Sequence, residues 1–152
     1  MKKLVLIFLC VGTTLMAQDV HFSRWYNNPL FSNPALTADF DGDYRITAHQ
    51  REQWASVSVP FSTTSVGLDM PIENWGLGLQ FLRDQSGSSR LSLTQFNLSL
   101  SRSLQDWQLG VQLGFAQRRI DYSDLIFIDE GESIIPENKN YIDIGMGINR
   151  TF

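Results

Sequence analysis

Cysteine is nearly absent from this sequence of 152 residues, and the single one, Cys10, lies in an apolar stretch near the N-terminus. A lipoprotein signal needs a small residue just before its cysteine, and Leu9 stands there, so lipidation is not predicted. The chain beyond this stretch has no cysteine, which excludes both a disulfide and thiol chemistry.

Residues that carry catalysis or bind metals are equally scarce. His21 and His49 are the only histidines, and the sequence contains neither a Gly-x-Ser-x-Gly motif nor a His/Cys/Asp group at metal-ligand spacing. A nucleophilic enzyme needs a nucleophile, a base and an orienting partner. The sequence therefore predicts no enzyme, no small-molecule substrate, no cofactor and no metal. Both histidines are expected to be structural, with His49 in a lumen or at a rim.

Long apolar runs are missing beyond the first 17 residues. Lys2 and Lys3 precede the apolar run 4–11, and the small residue Ala17 precedes Gln18. This order is typical of a secretory signal peptide over residues 1–17, and the run is too short for a transmembrane anchor. We expect an exported mature chain that begins at Gln18.

Basic residues are few and form no run. Without Lys2 and Lys3, 10 of the 12 Lys and Arg remain against 16 Asp and Glu, so the formal net charge of the mature chain is −6. A mildly acidic exported chain without a basic patch is a poor binder of nucleic acid, so that class of partner is excluded.

The sequence instead shows an alternation of apolar and polar or small residues, which is clearest over residues 107–116. Large apolar residues alternate there with Gln, Gly and Ala over about ten residues, the length that a tilted transmembrane β-strand needs. Six segments share the pattern: 44–50, 63–70, 75–83, 90–101, 107–116 and 141–150. The fourth changes parity, from Leu93 to Phe96, which predicts a β-bulge near Thr94-Gln95.

The polar face of these strands indicates where the apolar face points. It holds Gly, Ser, Gln and Asn rather than the Lys and Glu of a water-facing sheet, and small neutral residues suit a crowded lumen. Connections 71–74 and 103–106 are short, whereas 52–62, 84–89 and 118–140 are longer, as in outer-membrane barrels. The prediction is an all-β, antiparallel, up-and-down transmembrane β-barrel. A soluble lipocalin-like barrel shows the same alternation and is kept as an alternative.

Two further features follow from this arrangement. Trp75 and Trp107 each begin a strand after a short turn, so both are expected in an aromatic girdle at the periplasmic boundary. Arg45 and Asp69 lie on the polar faces of neighbouring strands, which predicts an ion pair inside the lumen. Six strands over 44–152 are too few to enclose a lumen, so the chain is expected to form part of a larger, incomplete barrel.

Residues 18–43 have no period and are rich in Asn and Pro. They predict an extended or turn-rich, non-helical strap or plug on the periplasmic side, whose aromatic residues Phe22, Trp25, Tyr26 and Phe31 need burial. Residues 39–43 only partly match a calcium loop and are expected to form a turn. The acidic residues within 118–140 are expected to be a solvated face, with a partner or Ca²⁺ site as the alternative.

The mature chain resembles the PorP/SprF-like outer-membrane proteins of the type IX secretion and gliding systems of Bacteroidota, in their N-terminal half. The resemblance is carried by Gln18, Asp19, His21, Phe22, Ser23, Tyr26, Pro29, Asn33, Pro34, Ala35, Gln53 and Trp54, with further likeness at 41–46, 60–65 and 142–147. Val20 and Arg24 depart from the pattern, where Pro and Gln are expected.

The resemblance implies a non-enzymatic component of the outer membrane that supports export or surface attachment of cognate cargo. Its implied partners are outer-membrane lipid, the type IX secretion or gliding machinery and the secreted cargo protein. The strap is the candidate for periplasmic or plug contacts, and loops 52–62 and 118–140 are the candidates for cargo. The alternatives are a small lipid-modifying barrel enzyme, for which no constellation is visible, and a soluble lipocalin-like binding domain.

Overall fold

The computed structural model of the chain describes residues 22–56, 59–86, 91–120 and 137–150. The signal peptide 1–17 and the motif residues Gln18, Asp19 and His21 lie outside the described residues, as do 121–136 of the longest connection.

Six antiparallel strands form one sheet in sequence order, which confirms the all-β, up-and-down fold. The strands are β1 (Arg45–Gln53), β2 (Phe61–Ile72), β3 (Trp75–Ser86), β4 (Leu91–Leu104), β5 (Trp107–Ile120) and β6 (Glu137–Arg150). Most extend beyond the alternating segments, because backbone pairing continues after the side-chain pattern ends. Residues 118–120 and 137–140, assigned to a loop from the sequence, are strand.

The predicted β-bulge in the fourth strand is wrong. Pairing between β3 and β4 continues without a break through Asp84↔Leu93, Arg83↔Thr94 and Leu82↔Gln95. A bulge would place two residues of one strand opposite one of the other. Without it, Leu93 shares the face of Gln95, so the change of parity marks a change in what that face contacts.

The uninterrupted register gives the sheet two different faces. The outer face carries consecutive apolar rows, one of which is Ile46, Leu68, Leu79, Leu98, Leu113 and Ile144. The inner face carries mainly glycine, hydroxyl and amide residues, including Gly67, Gln80, Asn97 and Gly114 from the matching row. Trp107 and Phe115 are eight residues apart, so the apolar band extends roughly 27 Å along the strand and roughly 21 Å at a 40° tilt, close to the ~25 Å of a membrane barrel.

The sheet is strongly curled, and residues 22–43 lie on its inner, concave face. In a flat sheet β1 and β6 would be about 24 Å apart. Asp39 nevertheless touches both: its carbonyl accepts from Arg45 Nη1 at 3.5 Å, and its carboxylate accepts from Asn149 Nδ2 at 3.1 Å. Within the described residues β1 and β6 are not paired, so the six strands form an open part of a barrel.

The described part of the strap, residues 22–43, contains three short helical turns, so the segment is turn-rich rather than extended, and the four-residue α-helix in it is not predicted from the sequence. They are a 3-10 turn at Trp25–Asn27, the helix α1 (Pro29–Ser32) and a 3-10 turn at Pro34–Leu36. Pro29 and Pro34 each occupy the first turn, where the missing N–H costs nothing and the fixed φ suits a helix. In the described part of the chain, no helix has the length and apolar content to cross a membrane.

Candidate functional site

The strap and the inner face of the sheet form the most elaborate arrangement of side chains in the described structure. The strap crosses the inner face diagonally, from Phe22 against His49 of β1 to Thr37 beside the short turns at the other end. Four strap residues are fully buried against this face: Asn28, Leu30, Ala35 and Thr37. The site is therefore a seat for the chain's own N-terminal residues.

Leu30 is the apolar anchor of the strap, and two glycines make room for it. A Cβ at Gly67 would lie 2.9 Å from Leu30 Cδ1, and one at Gly78 would lie 2.7 Å from Leu30 Cδ2. Gln112 Nε2 donates to the Leu30 carbonyl at 3.1 Å, which satisfies a backbone acceptor that is shielded from water. Glycine and glutamine on this face thus serve the strap directly.

A buried network of amides holds Asn28 beside this anchor. Asn28 Nδ2 donates to Ser65 Oγ at 3.2 Å, and Gln80 Nε2 donates to Asn28 Oδ1 at 2.9 Å. Asn97 Nδ2 donates to Gln80 Oε1 at 3.2 Å, and Gln95 Nε2 donates to Asn97 Oδ1 at 2.9 Å. Because each amide supplies both a donor and an acceptor, the chain of bonds fixes the strap against β2, β3 and β4 together.

Asn28→Ala tests this network. The substitution removes one buried partner each from Gln80 and Ser65, which keep their mutual bond of 3.2 Å, so we expect the free energy of unfolding to fall by about 1 kcal/mol. The measurement is urea unfolding in detergent micelles followed by circular dichroism. Asn138→Ala, on an exposed position of β6, is the control and should change the unfolding midpoint little; equal effects of the two substitutions would contradict a special role for Asn28.

The second half of the strap lies directly against backbone. Gly110 of β5 faces the Pro34 carbonyl group and the Ala35 nitrogen, and Gly147 of β6 faces the Asn33 side chain. Asn33 Oδ1 caps the turn by accepting from Ala35 N at 2.9 Å, while its Nδ2 donates to the Ile148 carbonyl at 3.1 Å. The motif Asn33-Pro34-Ala35 therefore shapes one turn and attaches it to β5 and β6.

The end of the strap is held by polar groups from three strands. The Thr37 carbonyl accepts from Ser101 Oγ at 2.7 Å and from Gln108 Nε2 at 3.0 Å. Asp69 Oδ2 accepts from Ala38 N at 2.8 Å. The strap then leads into β1 with its direction fixed.

Arg45 and Asp69 are directly opposite each other on β1 and β2. Arg45 Nη2 lies 2.6 Å from Asp69 Oδ2, and Nε donates to Oδ1 at 3.1 Å, which makes the pair bidentate. The Asp69 side chain is fully buried, and Arg45 Nη2 also donates to the Leu36 carbonyl at 3.0 Å. The pair thus joins the strap to the sheet on the inner face.

The remaining motif residues from the sequence divide into buried and exposed positions. Phe22 is buried, with its ring 5.0 Å from that of Phe31. Trp25 and Tyr26 are 60% and 62% exposed, so the expectation that all four aromatic residues of the strap are buried is wrong. Ser23 is exposed in a turn near them.

Gln53 ends β1, opposite Phe61, and the Trp54 ring packs edge-on against the Phe61 ring at 5.2 Å. Trp75 and Trp107 are the first residues of β3 and β5, on the outer face after two-residue turns. The first residue of each turn, Glu73 or Gln105, has a left-handed φ of 54° or 52°. Such a φ suits the twist of a tight hairpin.

Sequence reasoning missed the residues that receive the strap. Their shared property is an amide, a hydroxyl or no side chain at an inner-face position, and they are Ser65, Gly78, Gln80, Asn97, Ser99, Ser101, Gln108, Gly110 and Gln112. The signal is the polar half of the alternation, which by itself predicts a crowded lumen but not what fills it.

Comparison with known proteins assigns the chain to a family. A family model described as "Type IX secretion system membrane protein PorP/SprF" matches residues 14–151, nearly the whole chain. No curated protein and no solved structure matches.

Proposed function

The chain belongs to the PorP/SprF family of type IX secretion system membrane proteins, and from this membership we propose a non-enzymatic role in the outer membrane. The chain supports export or surface attachment of a cognate cargo protein. Outer-membrane lipid surrounds the outer face, and the secretion machinery and cargo are the protein partners. The observation that carries this proposal is the two-sided sheet, apolar outside and filled by the strap inside.

The outer face supports a lipid environment. Apolar side chains on it are largely exposed, with Leu113, Ile144 and Met146 at 53%, 69% and 82%. An exposed apolar surface that continues over six strands would drive aggregation in water. In a bilayer the same side chains meet a medium of matching polarity, and every strand inside the sheet has its backbone groups paired.

The contacts on the inner face support the proposal that the strap is a plug. The strap covers the inner face from the level of Ser65 to that of Gly76, and its central residues are buried against five strands. A barrel that keeps this strap in place is not a free water channel along these strands. Its role is therefore to present surfaces to other proteins rather than to conduct solutes.

The position of the strap on the inner face limits which of its residues can contact other proteins. Residues 28–37 are held against the sheet, so they serve as a plug and do not offer a free periplasmic surface. If β1 starts at the periplasmic side, Phe22 lies deeper in the barrel than Thr37, since it contacts His49 rather than the short-turn end. Periplasmic machinery then meets the short turns and residues 38–44.

The proposed cargo contacts are in the connections 52–62 and 118–140, and the second of these can be tested cleanly. Ile120 pairs with Glu137, so a two-residue Asn-Gly turn can replace 121–136 while both strands stay paired. We expect cells with this replacement to retain the protein in the outer membrane but to lose surface cargo. Protease shaving followed by mass spectrometry measures the displayed proteins.

Cells without the gene and cells complemented with the unaltered gene set the two limits of that measurement. The control replaces an equal number of residues in a different surface protein. Full cargo display after the replacement would remove this connection as the cargo contact. An unchanged set of secreted and surface proteins in cells without the gene would contradict the proposed function itself.

A further inference from the structure

Two tryptophan–arginine pairs repeat with the same geometry at one edge of the outer face. Trp75 of β3 is directly opposite Arg102 of β4, and Trp107 of β5 is directly opposite Arg150 of β6. The Arg102 Cζ lies 4.9 Å from the Trp75 ring centroid, and the Arg150 Cζ lies 5.1 Å from that of Trp107. Each tryptophan is the first residue after a two-residue turn, so both pairs lie where the apolar band ends.

The charge of the strands is distributed unequally between the two faces. Asp69, Asp84 and Asp143 occupy inner-face positions, whereas Glu52 lies on the outer face at the opposite end of the strands. At the Trp75 edge, Arg102 and Arg150 are the charged residues that the described strands place on the outer face. Glu73 and Asp106 are the nearest acidic residues in sequence, and they lie in the turns beyond the band.

The contact of Arg102 with Trp75 leaves the N–H donors of the guanidinium available. In the described structure the guanidinium lies over the face of the Trp75 ring, and stacking uses the plane of the guanidinium rather than its N–H groups. Both side chains of this pair are exposed, Trp75 by 43%. Stacking holds the planar fork in one orientation while its edge faces the surroundings, which is the arrangement that binds phosphate oxygens in a bidentate way.

We propose that the Trp75–Arg102 pair is a binding site for the phosphate of a phospholipid headgroup, in the leaflet on the side of the short turns. Indole rings settle at headgroup depth, where their N–H stays wet and their apolar part meets acyl chains. The arginine beside each ring then lies at the depth of the lipid phosphates. This inference rests on the proposed placement of the outer face in a membrane.

Lipid binding to the full chain in detergent micelles tests the inference by native mass spectrometry. The probes are phosphatidylglycerol and a diacylglycerol with the same acyl chains, which differ in the phosphate-bearing headgroup. We expect one phosphatidylglycerol molecule to bind more tightly than the rest. Arg102→Gln should weaken the binding of that molecule about tenfold, with diacylglycerol binding unchanged.

Arg118→Gln is the matched control, because it removes the same charge from an exposed inner-face position of β5. Equal weakening by Arg118→Gln would overturn the inference in favour of net charge. Unchanged lipid binding by Arg102→Gln would overturn it in favour of a purely structural stack. Arg102→Lys keeps the charge but loses the fork, so intermediate weakening is the expected result.

Membrane placement has a separate readout in vesicles that contain dibrominated lipids. In a chain with Trp25→Phe and Trp54→Phe, the remaining fluorescence comes from Trp75 and Trp107, and bromine near the headgroup should quench it most strongly. Absence of quenching would count against the proposed function. Quenching without a preference for phosphate would count against the headgroup site alone.

Discussion

Replacing Asp69 with alanine is expected to lower the free energy of unfolding by about 3 kcal/mol, because it leaves the Arg45 guanidinium without its carboxylate on a largely shielded surface. Asp69 is fully buried, while the Arg45 side chain is 23% exposed and keeps the Leu36 carbonyl as an acceptor. The partial exposure places the expected loss at the low end for a broken buried pair. The same substitution removes the acceptor for Ala38 N, so it also frees the end of the strap.

The measurement is guanidinium-induced unfolding in micelles, monitored by the circular dichroism of the sheet. Asp143→Ala is the control: this carboxylate is exposed on the inner face of β6, and its contact with Gln95 Nε2 is long, at 3.4 Å. We expect the control to change stability by less than about 1 kcal/mol. Equal loss in both variants would show that the bidentate pair does not hold the sheet.

A double substitution separates the pair from its surroundings. Arg45→Met with Asp69→Leu removes both charges and fills similar space, so it should recover much of the stability lost in Asp69→Ala. The strap should remain less firmly held, because Leu36 and Ala38 lose their partners on the sheet. Recovery of stability together with a released strap would assign the pair to strap attachment rather than to sheet pairing.

The strands and their faces could be predicted because both depend on local sequence. A period of two identifies the strand and assigns its residues to two faces, which is why Arg45 and Asp69 could be placed on the polar faces of neighbouring strands. The strap could not be placed in this way. Its contacts with β5 and β6 join residues more than 70 positions apart, and no period in 22–43 indicates which face is buried.

The incorrect bulge has the same origin. Leu91 and Leu93 occupy inner-face positions beyond the level of His49, which is contacted by Phe22, the first described residue of the strap. The apolar pattern therefore changes face although the backbone does not. The inner-face charges Asp84, Arg118 and Lys139 escaped prediction because they lie in strand ends that the alternation does not mark.

Gly110→Ala is the sharpest test of how the strap packs on the sheet, because there is no space for a methyl group at this position. The added Cβ would overlap the Pro34 carbonyl group and the Ala35 nitrogen, and backbone cannot rotate aside as a side chain can. Overpacking of this kind costs roughly 2 kcal/mol. Because β5 is paired on both sides, we expect the strap to move and the sheet to stay.

A cysteine reporter measures that movement directly. With Cys10→Ser, the chain has no other thiol, and Thr37→Cys places one at a fully buried strap position beside Ser101. A weakening of about 2 kcal/mol should make maleimide labelling about 30-fold faster when Gly110→Ala is added, since 1.4 kcal/mol corresponds to tenfold. The circular dichroism of the sheet should change little.

Gly145→Ala is the matched control, from the neighbouring strand and the same inner face. A Cβ there would meet Gln112 Cβ at 3.5 Å and Oε1 at 3.6 Å, which are ordinary van der Waals contacts. We therefore expect labelling at the unaltered rate. Similar acceleration by both substitutions would show a general loosening of the sheet, whereas acceleration by Gly110→Ala alone would show that close approach of the strap backbone requires glycine at 110. The plug proposed for this family member depends on that approach.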